Sequence, residues 1–181
     1  MRHVATLSMV VVLLAGGSQP RGAWAQEKSG ASRASAVAQT PEWQAIKSLV
    51  GRWEGEVEIG GKKMVTTVEM RLTGDGSAVM HVMDKGTPHE MVTMFHPDGD
   101  RLLATHYCSA HNQPRMALVK GANANRIAFE FVDGTNIRPG DEHMLGLVLT
   151  IKDASRHDES WTSGADGKAG PPMTFSYARK E

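Results

Sequence analysis

From Arg52 onward, apolar and polar residues alternate along most of the chain. Trp53, Gly55, Val57 and Ile59 are separated by Glu54, Glu56 and Glu58, the period-two pattern of a strand with one buried face. Gly60-Gly61 marks a tight turn, and Met64, Thr66, Val68, Met70 and Leu72 carry the alternation on, which predicts a hairpin. Turn signals recur at Gly74-Asp75-Gly76, Lys85-Gly86-Thr87-Pro88, Pro97-Asp98-Gly99-Asp100, Gly121-Ala122-Asn123, Asp133-Gly134-Thr135 and Gly164-Ala165-Asp166-Gly167. The runs between them, near 77–84, 89–96, 101–108, 115–120, 126–132, 143–152, 157–162 and 172–179, raise the total to about ten strands. Hairpins without long crossovers predict an all-β fold, a roughly ten-stranded antiparallel up-and-down barrel. One helix precedes it. Thr40 is an N-cap, Pro41 takes the first helical position, and Trp43, Ile46, Leu49 and Val50 recur at helical spacing until Gly51.

The hairpin around Asp98-Gly99 permits a register argument. A loop centred there sets His96 opposite Arg101, Met94 opposite Leu103 and Met91 opposite His106. One face then carries Met91, Thr93, Phe95, Leu102, Ala104, His106 and Cys108. The other carries Val92, Met94, His96, Arg101, Leu103, Thr105 and Tyr107. The charged residues place the second face outside. Its apolar members also suit a partner subunit or the N-terminal helix, so a homodimer is one expectation.

The N-terminus changes the domain count. Arg2 and His3 precede an apolar run, Val4–Leu14, and Ala23-Trp24-Ala25 fits a small-x-small cleavage site. Residues 1–25 therefore read as a signal peptide, 26–39 as a flexible Ser/Ala/Gly-rich leader, and 40–181 as one domain. The expected location is exported, periplasmic or extracellular after cleavage near Ala25. Neither the apolar run nor any later stretch reaches the roughly 20 residues a membrane-spanning helix needs.

Charge and cysteine then exclude some classes. Lys and Arg total 20 and Asp and Glu total 20; removing Arg2 and Arg21 with the signal leaves 18 against 20, or −2. That balance argues against a nucleic-acid binder. With Cys108 as the single cysteine, no intramolecular disulfide holds the fold, so its core must.

Residues 100–116, DRLLATHYCSAHNQPRM, hold the densest chemistry. His106 on the inner face reads either as a ligand-orienting group, a metal or haem ligand, or a core histidine bonded to its neighbours. Cys108 is either a thiolate activated by His106 or Arg115, or an inert small hydrophobe. Asn112, Gln113 and Arg115 suit a polar mouth for a carboxylate or phosphate, Arg offering a bidentate fork. Loop-to-loop hydrogen bonding is the alternative. His81, His106 and His111 form the best metal trio, although no paired Cys/His spacing supports it, and the metal is unknown. Nothing matches a nucleophile elbow, a P-loop or a dinucleotide fingerprint, so whether the chain is an enzyme stays open, leaning against.

A short helix, Leu49-Val50-Gly51-Arg52-Trp53 and a meander together resemble the start of lipocalin and calycin barrels. The resemblance implies a Gly-x-Trp element at Gly51 and Trp53, with Arg179 of the last strand stacked on that tryptophan. The chain is also similar to exported bacterial lipocalin-like domains of uncharacterised function with a His-Tyr-Cys strand end followed by Asn-Gln-Pro-Arg-Met, here His106-Tyr107-Cys108 and Asn112–Met116. More distantly, it resembles nitrobindin-like haem barrels, which use a histidine on a late strand. No histidine lies in 172–179, and His157 sits in a charged strand start. The leading expectation is a barrel that binds a small apolar or amphipathic molecule. A haem or metal barrel, and a filled barrel acting as a structural or interaction module, are the alternatives.

Overall fold

The structure, a computed structural model, describes residues 40–119, 121 and 125–181. The signal segment and leader expected over 1–39 lie outside the described residues. Helix α1 (Pro41–Ser48) precedes strands β1 (Gly51–Ile59), β2 (Lys62–Thr73), β3 (Ala78–Met83), β4 (Met91–Asp98), β5 (Arg101–Tyr107) and β6 (Gln113–Leu118). There follow β7 (Arg126–Thr135), β8 (His143–Asp153), β9 (Arg156–Ala165), the two-residue β10 (Lys168–Ala169) and β11 (Met173–Lys180).

Each strand from β1 to β9 pairs antiparallel with the next, and β11 pairs with both β9 and β1. The sheet therefore closes on itself. β10 pairs with the same edge of β9 as β11, through Lys168–Ala165 and Ala169–Gly164, so the two form one interrupted strand. Among the described residues the result is the expected ten-stranded barrel with one short helix. Closure leaves no unpaired sheet edge, which a long open sheet would expose.

Inner and outer faces follow the alternation. Thr93, Phe95, Leu102, Ala104 and His106 are buried, while Met91 and Cys108, at the strand ends, are half-buried. The expected pairing was two residues out. Asp98 faces Arg101 and Thr93 faces His106, because the turn is the two-residue Gly99-Asp100, with Gly99 at φ 64°. A shift of two preserves every side chain's face, so the interior was placed correctly. The β6 run also starts two residues earlier than expected, at Gln113.

The two barrel ends differ. At one, α1 lays Trp43, Ile46 and Leu49 into the same buried cluster as Trp53, Met70, Val79 and Phe95. Thr40 caps this helix, its hydroxyl accepting from the Trp43 backbone N–H at 3.3 Å. The Arg179 guanidinium stacks over Trp53, 4.1 Å from the ring centroid. It also donates to the carbonyls of Val50 (2.8 Å), Ser48 (2.9 Å) and Ala154 (2.8 Å), while Trp53 Nε1 donates to Leu49 O at 2.8 Å. One planar cation thus satisfies carbonyls of the α1–β1 junction and the β8–β9 turn. Gly51 makes room for it: its φ is 145°, and a Cβ there would meet the guanidinium at 2.4 Å.

Replacing Arg179 by Met keeps the arm but strands these carbonyls and removes the stacked charge. Urea unfolding is expected to show a loss of about 2–3 kcal/mol for Arg179→Met. Gly51→Ala should fall in the same direction, through strain and displacement of the guanidinium.

Candidate functional site

Three residues of β9 point inward in succession. His157, Glu159 and Trp161 alternate with Asp158, Ser160 and Thr162, and all three are at most 5% exposed. Glu159 is the centre of a hydrogen-bonded cluster. His81 Nε2, from β3, lies 3.1 and 3.2 Å from its two carboxyl oxygens, His157 Nε2 lies 3.1 Å from Oε1, and Trp161 Nε1 donates to Oε2 at 3.1 Å. Burial alone would raise the carboxyl pKa; attraction to His81 and hydrogen bonds from His157 and His81 outweigh it and hold the group well below the usual carboxylate range. An ionised carboxylate only accepts, so both imidazoles carry their proton on Nε2. Their Nδ1 atoms are left buried without a partner.

Aromatic rings pack this cluster in place. Trp53 meets His157 edge-on at 4.3 Å, and Tyr177 stacks on the other side at 5.2 Å. Thr66 donates to Asp84 at 3.0 Å, so the Tyr177 hydroxyl donates to Thr66 at 3.2 Å. Burial pushes the Tyr177 phenol well above its ordinary value, keeping it neutral.

Beyond this layer the barrel opens. A cavity of about 250 Å³ is lined by Met83, Met91, Met144, Met173, Trp161 and Phe175, with His106, Cys108, Ser109, Ser163 and Pro171. His106 is 2% exposed, its Nδ1 engaged by the Thr93 hydroxyl at 2.9 Å, its Nε2 without a partner. Burial, with His81 nearby, depresses its pKa from 6.5 to about 4 against the opposing pull of Glu159. At neutral pH it is an uncharged imidazole with one nitrogen to spare.

The expected site residues divide into three places. His106 and Cys108 share this cavity. Gln113 and Arg115 instead line a concavity on the outer wall, with His96, Arg101, Tyr107 and Asp133, and Arg115 pairs with Asp133. The reason is β6 alternation, which turns Pro114 and Met116 inward and Gln113 and Arg115 out. Asn112 is buried in the β5–β6 loop, where its side chain donates to Glu142 O at 2.9 Å. The single polar mouth expected from this stretch is therefore not assembled.

The histidine trio is not assembled either: His111 is exposed in a turn with φ 62°, and Trp161 rests against both His81 and His106, at 6.2 and 4.9 Å. Among the described residues, no three His, Cys, Asp or Glu side chains are spaced to hold a metal ion. Haem meets a different obstacle. His106 offers one free imidazole nitrogen, but a cavity of about 250 Å³ does not enclose a porphyrin. His157, passed over in the sequence because it sits in a charged strand start, is wholly buried on the inner face. Glu159 was missed for the same reason. The signal lay in phase: His157 and Glu159 share the period-two positions of Trp161.

No family model matches the chain, and no curated protein matches it. Solved structures do. Over 78% of this chain and 99% of its own, Rv2717c from M. tuberculosis superposes with a TM-score of 0.53 at 16% identity. A protein of unknown function of the DUF3598 family from Nostoc punctiforme superposes with a TM-score of 0.52 at 15% identity, over 75% of this chain and 49% of its own. The chain shares its barrel fold with both.

The depressed His106 pKa makes the folded state take up protons less readily than the unfolded chain. Stability is then full above pH 6.5 and falls as pH drops toward about 4, by on the order of 3 kcal/mol in all. The depressed Glu159 adds a further loss below its ordinary pKa of 4.5. Urea midpoints against pH should show both, and His106→Leu should flatten the first segment only. Glu159→Gln, which leaves an amide facing three N–H donors, is expected to cost about 3 kcal/mol at pH 7.

Proposed function

We propose that the protein binds a small uncharged aromatic or amphipathic molecule in the cavity at the open end of its barrel. The carrying observation is an apolar, methionine-rich wall around the unpartnered Nε2 of His106. Trp161 and Phe175 supply flat apolar surface, the methionines adapt to shape, and His106 orients one polar group. A buried anionic head is disfavoured. Among the described residues no cation lines the cavity, and Glu159 lies behind Trp161. Gln113 and Arg115, on the outer wall, do not orient this ligand.

The wider setting is part of the same reading. The chain is exported, with residues 1–25 removed, and the barrel is of the lipocalin and calycin kind. The Gly51–Trp53 element capped by Arg179 supports that kinship.

Binding of naphthalene, 2-naphthol and 2-naphthoate, followed by calorimetry, tests the proposal. Naphthalene and 2-naphthol should bind and 2-naphthoate should not. His106→Leu should weaken 2-naphthol roughly 5- to 10-fold, the worth of one hydrogen bond, and leave naphthalene unchanged. Equal binding of the carboxylate, or no binding of any of the three, overturns it.

A further inference from the structure

Four thioethers and a thiol around one cavity are more than an apolar wall requires. We propose that its rim is a binding site for a soft monovalent cation, copper(I), held by the sulfurs of Met83, Met91 and Cys108 and by Nε2 of His106.

The sheet register brings these donors together. Met83 and Met91 face each other across β3 and β4. The β4–β5 pairing ends at Val92–Tyr107, and one step further along the same register Cys108 comes beside Met91. The three residues thus stand in one lateral row, Cys108 just past the end of β5, and all three line the cavity. Direct cross-strand neighbours have Cβ atoms about 4.5–5.5 Å apart. Unbranched methionine arms with three rotatable bonds cover that spacing. His106 is one inward-facing position below Cys108 on the same chain segment. The Thr93 hydroxyl holds its Nδ1 and so fixes the ring, leaving Nε2, 2% exposed and unpartnered, at the cavity.

The donor types then select the ion. Thiolate and thioether ligands favour copper(I), and hard divalent ions favour oxygen donors. Among the described residues no carboxylate lines this cavity. Binding replaces the Cys108 S–H bond with an S–Cu bond and releases the proton to solvent, and copper stays in the +1 state throughout. One thiolate against one monovalent cation leaves the occupied site neutral, which an apolar wall tolerates and a divalent complex would not. The site uses the same cavity as the proposed aromatic ligand but does not rest on that reading.

The test uses the tag-free full chain under ascorbate and without oxygen, competing for copper(I) against bathocuproine disulfonate. The expected result is one copper(I) retained per chain, with a sulfur-dominated shell and one nitrogen by copper X-ray absorption. The double variant Met83→Leu/Met91→Leu conserves volume, so the fold, followed as the urea midpoint, should persist. Its hold on copper(I) should drop at least about 10-fold, as should that of Cys108→Ser. Folded protein that leaves all copper with the chelator overturns the site, and so do variants that hold it as tightly as the native chain. Naphthalene binding by the native chain keeps the two readings apart: a native chain that binds naphthalene but leaves copper(I) with the chelator refutes the metal site alone, and one that holds copper(I) but not naphthalene refutes the ligand alone.

Discussion

A carboxylate with no access to water sits in the middle of this barrel, and the interior is arranged to make that tolerable. Glu159 receives N–H donors from His81, His157 and Trp161, which together replace the hydration it lost. His81 comes from β3, four strands round the sheet from β9, so its bond to Glu159 crosses the lumen. That strut ties opposite walls together. It also divides the barrel into a filled half and an open half.

The filled half is closed by chemistry of a different kind. α1 buries Trp43, Ile46 and Leu49 against the barrel end, and Arg179 stitches the helix terminus to the β8–β9 turn through three carbonyls while lying on Trp53. Trp53 also meets His157 edge-on, so the same indole joins the end plug to the polar layer. In the open half no helix among the described residues covers the strand ends, and the inward positions there are methionines and aromatics around His106.

Rv2717c and the Nostoc protein share the strand arrangement at 15–16% identity. Identity that low carries a backbone and not a set of side chains. The chemistry argued for this chain therefore stands on its own interior residues, above all on Glu159, His81 and the sulfur-lined rim beside His106.

Much of the fold was legible in the sequence because a period of two states which side chains share a face. With Arg101 and His96 marking the outer face, that placed Phe95, Ala104 and His106 inside, even with the β4–β5 register two residues out. The capped helix was legible for a related reason, since it depends on few residues with definite chemistry, whereas the Trp53–Arg179 contact was expected from the family resemblance. What local pattern leaves open is which inward residues meet across the lumen. His81 and Glu159 are 78 residues apart, and only closure of the sheet brings them to 3.1 Å. Alternation, by contrast, separated what the chain keeps near: Cys108 looks into the cavity, and Arg115, seven residues on, looks out from the opposite face of the wall. Alternation determines a face; curvature of the closed sheet determines a neighbour.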